Sequence, residues 1–119
     1  MSVLDRLASE VRGRGGLLAS EVSPASADGL REAAGDVPVQ IASATGLLTV
    51  FFSDELPVDY EDVGRCDFDR YAAWCRQLLA RGVYPPPSQF EAWFPSLAHS
   101  PEHVERTLEA AAAAFGEIA

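Results

Sequence analysis

At 119 residues, 48% hydrophobic and 23% charged, the chain has the length and balance of one globular domain with a core that folds without staples. All nine basic residues are arginines, with no lysine, against 18 carboxylates for a net charge of −9; this excludes the basic face that nucleic acid or an anionic membrane demands. No run approaches the roughly 18 apolar residues of a membrane span or resembles a signal peptide, and Cys66 and Cys75 are too few for a disulfide framework, so two free thiols in a cytoplasmic protein are expected.

Val3, Leu4, Leu7 and Val11 recur at helical spacing before Gly13, Gly15 and Gly16 interrupt them, the pattern of a short amphipathic helix and a flexible joint. Ser23 and Pro24 fit an N-cap and first helical position for a helix carrying Leu30, Ala33 and Ala34 and stopping at Gly35. The period then changes from 3.6 to 2. Val37, Val39 and Ile41 alternate with Pro38, Gln40 and Ala42, which predicts a strand with one buried face. Ser43 to Gly46 supply a turn, and the apolar run Leu47 to Phe52 predicts a second strand, paired antiparallel with the first and covered on both faces.

Residues 53–67 are acidic and turn-rich, a solvated connection. Asp67 caps a predicted helix with the stripe Phe68, Tyr71, Ala72, Cys75, Leu78 and Leu79, ended by Gly82. Pro85, Pro86 and Pro87 have no backbone donor, so this stretch is extended and is not a central strand. A last helix opens with Ser100 as cap and Pro101 at its first position, with the stripe Val104, Leu108, Ala111, Ala112, Phe115 and Ile118. These elements predict an α+β fold: a small antiparallel sheet of three to four strands with helices packed mainly on one face.

Chemistry-bearing patterns are sparse. His99 and His103 stand four apart, but a helix that starts at Ser100-Pro101 takes in only His103, so no metal pair is expected. No nucleophile elbow, dinucleotide fingerprint or phosphate loop is present, and the glycines at 13–16 read as a hinge. The informative residue is Glu91, a lone carboxylate among Phe90, Ala92, Trp93 and Phe94 after the proline run. A carboxylate in an apolar rim is costly to bury without a partner, so it either has a functional role or is an exposed loop side chain.

The stretches VPVQIASATGLLTVFFSDELPVDYED (37–62) and DRYAAWCRQLLARGVYPPPSQFEAWFPSLAHSPEHVERTLEAA (69–111) resemble the C-terminal part of the glutamate-1-semialdehyde 2,1-aminomutases, relatives of the class III aminotransferases. The resemblance runs from about Gly29 to Phe115, and RGVYPPPSQFEAWFPSLAHS is its specific part. It implies the small C-terminal domain of a homodimeric fold type I enzyme that uses pyridoxal phosphate to make 5-aminolevulinate, the tetrapyrrole precursor. It also implies that Glu91, the glutamate of SQFEA, reaches the active site beside substrate and cofactor.

On this reading residues 29–119 are the aminomutase-like domain, and residues 1–28 a divergent helical segment with a glycine-rich joint. The family holds its cofactor through a lysine of a large domain, and this sequence has none, so no cofactor is expected to be bound by this chain alone. It is expected to be inactive by itself and to need a pyridoxal-phosphate-binding large domain as partner. The alternative is a non-catalytic interaction module that forms a homo-oligomer. An independent small enzyme combining Glu91 with a histidine has no support in the spacing.

Overall fold

A computed structural model of the chain describes residues 19–44, 46–95 and 100–119, with side chains from Ser26 onward. The expected first helix, the glycine joint and His99 lie outside the described residues. In order, the elements are α1 (Ala19–Ala34), β1 (Gln40–Ala44), β2 (Leu47–Phe51), α2 (Tyr60–Val63), α3 (Phe68–Ala80) and α4 (Pro101–Ile118). This is the α+β arrangement expected, with helices against the sheet face that carries Ile41, Leu48, Val50 and Phe52.

α1 is already helical at Ala19, so Ser23 and Pro24 lie inside it, not at a cap as expected, and the helix continues across residues 28 and 29. A proline removes one backbone bond, and tertiary packing of Ala27, Leu30 and Ala34 holds the helix beyond it. Gly35 ends it with φ of 57°, a left-handed position that costs glycine nothing. Arg31 then reaches from α1 to the sheet, its Nη2 donating to the Ile41 carbonyl at 2.7 Å.

β1 and β2 form an antiparallel hairpin with Ile41 opposite Val50 and Ala44 opposite Leu47, turning through Gly46 at φ 83°. The sheet holds two strands among the described residues, not the three to four expected. Trp93 forms a single antiparallel bridge beside Leu48 where a third strand would lie: Leu48 N–H donates to Trp93 O at 3.0 Å, and Trp93 N–H to Leu48 O at 2.7 Å. The bridge does not extend into a ladder because, two residues to either side of Trp93, the Glu91 N–H is spent on Ser88 O and Pro95 has no N–H to give. β2 is not covered on both faces as its composition suggested. Leu48, Val50 and Phe52 enter the core, while on the other face Phe51 is buried and Leu47 is exposed.

α2 is a single turn within the acidic connection, nucleated by Asp59, whose carboxylate accepts from Asp62 N–H at 2.8 Å. Asp67 caps α3 in the same way through Arg70 N–H. The buried face of α3 is Tyr71, Trp74, Cys75 and Leu78; Ala72 and Leu79 of the expected stripe are exposed, as is much of Phe68. Both stripes have helical period, and the larger payload of Trp74 selects the one that buries it. α3 closes in a Schellman motif: Val83 N–H donates to Leu78 O, and Gly82 N–H, at φ 84°, to Leu79 O.

α4 begins with a capping box in which Ser100 Oγ accepts from His103 N–H and His103 Nδ1 accepts from Ser100 N–H. Its buried face is Ala110, Ala111, Ala114 and Phe115, and Ala112 of the expected stripe is exposed. Small residues at these positions let α4 approach α1 and α3 closely. At Gly29 of α1, a Cβ would run into the side chain of Leu108. Trp74 sits at the centre of the core with its ring 4.7 Å from Phe115, 5.6 Å from Phe52 and 5.8 Å from Trp93.

Candidate functional site

The segment after the proline run is fastened to the core at three points. Tyr71 Oη donates to the Pro86 carbonyl at 2.7 Å. Gln89, wholly buried, accepts from Phe52 N–H through Oε1 at 2.8 Å and donates to the Asp67 carbonyl through Nε2 at 3.3 Å. The Leu48–Trp93 bridge holds the far end, and Thr49 Oγ1 donates to the Glu91 carbonyl beside it at 3.3 Å. One amide side chain thereby joins the end of β2, the cap of α3 and the loop, satisfying a Phe52 N–H that burial would otherwise leave unpaired and adding a second bond to the Asp67 carbonyl, which also accepts from Tyr71 N–H.

This clamp determines where Glu91 goes. Its backbone N–H donates to Ser88 O at 3.1 Å, closing a turn, and its side chain is exposed. Of the two readings open in the sequence, the structure therefore places Glu91 on the surface, on a segment pinned on both sides and not on a loose loop. Phe90 and Phe94 flank it, both also exposed, while Trp93 turns inward onto Trp74. The Phe90 ring lies 4.8 Å from Tyr60 and 5.6 Å from Phe68, so three exposed rings gather beside Glu91.

Three ionisable groups are displaced from their usual range. Burial pushes the Tyr71 phenol well up; the Cys75 thiol and the Glu91 carboxylate add to the shift, and the Trp93 indole opposes it. Burial likewise raises Cys75 and Cys66. Raised thiols are poor nucleophiles at neutral pH, so neither cysteine has the character of a catalytic one. His103 spends Nδ1 on the α4 cap, and among the described residues no cluster of ligands could hold a metal ion. A cleft of about 390 Å³ is bordered by Leu30, Leu48, Tyr84, Trp93, Val104 and Leu108, and Glu91 does not line it.

The sequence reading picked out Glu91 but missed Gln89, the residue that positions it. A buried glutamine carries no periodic signal; the one clue was its place just past Ser88, which follows three residues that lack backbone donors. Pyridoxal phosphate does not fit this chain alone, because the sequence offers no lysine amine to join the aldehyde.

No family model matches the chain. It is similar to glutamate-1-semialdehyde 2,1-aminomutases: that of Thermomicrobium roseum at 46% identity over 83 residues, 70% of this chain and 19% of the relative; that of Desulfosudis oleivorans at 43% over 94 residues, 77% and 22%; and that of Anaeromyxobacter sp. strain K at 45% over 100 residues, 82% and 23%. The chain thus spans about a fifth of the length of the curated relatives it matches. Among solved structures, an omega-transaminase from Sphaerobacter thermophilus superposes with a TM-score of 0.68 at 16% identity, covering 84% of this chain and 23% of that one. In sequence this chain is similar to the C-terminal part of the glutamate-1-semialdehyde 2,1-aminomutases, and its α+β fold is that of part of an aminotransferase.

Proposed function

We propose that this chain supplies the small-domain part of a glutamate-1-semialdehyde 2,1-aminomutase in the cytoplasm, acting with a lysine-bearing segment that holds pyridoxal phosphate. The observation that carries the reading is the 45% identity across 82% of the chain. A match of that extent in 119 residues includes position 91 wherever it begins. The buried, unpaired thiols of Cys66 and Cys75 suit a reducing compartment.

The cofactor's electron-sink chemistry comes from outside this chain, and the role left to this chain is presentation. Gln89 and the Trp93 bridge hold Glu91 at a fixed place on the surface, where its carboxylate faces the shared site as an acceptor for a cationic or hydrogen-bonding group of the substrate. The test is to combine the chain with the lysine-bearing aminomutase polypeptide of the same cell and assay 5-aminolevulinate formation. Activity is expected only in the combination, and Glu91→Gln is expected to lower it at least tenfold with an unchanged melting temperature. A mixture without activity, or full activity in the Gln variant, would contradict the assignment.

A further inference from the structure

Tyr60, Phe68 and Phe90 come from three separate segments, α2, the start of α3 and the clamped loop, yet their rings touch, with centroids 4.8 and 5.6 Å apart. They remain 77%, 39% and 45% exposed. Contiguous exposed aromatics of this kind are uncommon on a surface that meets only water, and aromatic side chains are concentrated at the centres of protein interfaces. Every ring is flanked by acid: Asp59 and Glu61 beside Tyr60, Asp67 and Asp69 beside Phe68, and Glu91 after Phe90, all five exposed.

That rim selects the occupant. Residues 54–69 hold seven carboxylates and one arginine, Arg65, which is paired with Asp62 at 2.6 Å. A second copy docked by two-fold symmetry would set this acidic rim against itself, in a chain already at −9, and like charges facing across an interface oppose association. A partner with an apolar centre and a basic rim meets both demands.

We propose that the Tyr60–Phe68–Phe90 cluster is the anchor by which this chain docks on the lysine-bearing aminomutase polypeptide, whose contact surface is apolar at its centre and basic around it. This rests on the function proposed above and adds the surface and its chemistry. The similar aminomutases carry about four-fifths of their length beyond the part that this chain matches, which is ample polypeptide to cover the cluster. Glu91 beside Phe90 then lies at the seam between the two parts.

The experiment is calorimetric titration of the full 119-residue chain into the lysine-bearing polypeptide, at low and moderate salt, with parallel assay of the mixture. The double variant Tyr60→Ser, Phe90→Ser is expected to bind at least tenfold more weakly. Tyr84→Ser, which removes an exposed ring elsewhere, stays within twofold, and wild-type affinity falls as salt rises. Equal melting temperatures verify that the variants are folded. Binding and activity that are indifferent to the ring substitutions overturn the docking surface and leave the functional reading standing. Failure of the wild-type chain to bind overturns both, and a wild-type self-dimer abolished by the ring substitutions reassigns the patch to a second copy and overturns the proposal.

Discussion

Replacing Gln89 by leucine would leave the buried Phe52 amide without a partner and remove one of the two bonds to the Asp67 carbonyl, which keeps the one from Tyr71 N–H. The expected loss is about 2 kcal/mol of stability, read from the urea midpoint. Trp74→Ala, which removes the ring that four other aromatic rings pack against, is expected to cost about 3–5 kcal/mol by the same measurement. Glu91→Gln touches nothing buried and should move the midpoint little. Glu91 could be singled out in the sequence because a lone charge among aromatics is conspicuous; Gln89 could not, because its role depends on two backbone groups brought to it by other segments. Trp74 was passed over for a related reason: two overlapping stripes on α3 have the same period, and only the partners Phe52, Phe115 and Trp93 distinguish them. Alkaline stability is also decided by single residues. Tyr71, Cys75 and Cys66 hold their protons longer folded than unfolded, so each contributes stability that is complete below its unfolded pKa and drains away as pH rises above it. The melting temperature should therefore fall from about pH 9 upward, first through the thiols and then the phenol, and Tyr71→Phe should flatten the part above about pH 10.

Element ends were the most legible part of the fold, because caps are local chemistry. Asp67, Ser100-Pro101, Gly35 and Gly82 all stand where the sequence places them. Ser100→Ala removes one half of the α4 capping box and is expected to cost about 1 kcal/mol, seen as a lower melting temperature. What the pattern could not settle was decided by contacts distant in sequence. Pro24 reads locally as a helix start, yet α1 runs through it. The third position of the sheet is filled by one bridge at Trp93, because Glu91 turns back onto Ser88 on one side and Pro95 lacks a donor on the other. Gly29 shows the same dependence: nothing near it in sequence demands a glycine, but Leu108 of α4 occupies the space a side chain would need.

At the scale of the molecule, composition read as one domain with an acidic surface and no lysine, the change of period from 3.6 to 2 made it α+β, and the similarity to aminomutases gave the missing lysine its meaning. The molecule also carries a two-stranded hairpin with no strand beside the outer edge of β1 among the described residues, and such an edge is a template for pairing with another chain. Arg31 occupies an acceptor there, its guanidinium bonded to the Ile41 carbonyl while also paired with Asp28 at 2.8 Å. A strand approaching that edge would first have to displace a fixed positive charge. Arg31→Ala frees that acceptor, and it is expected to leave the fold nearly as stable but to make concentrated solutions form thioflavin-binding aggregates sooner, so that a side chain on a helix would govern how long the protein keeps in solution.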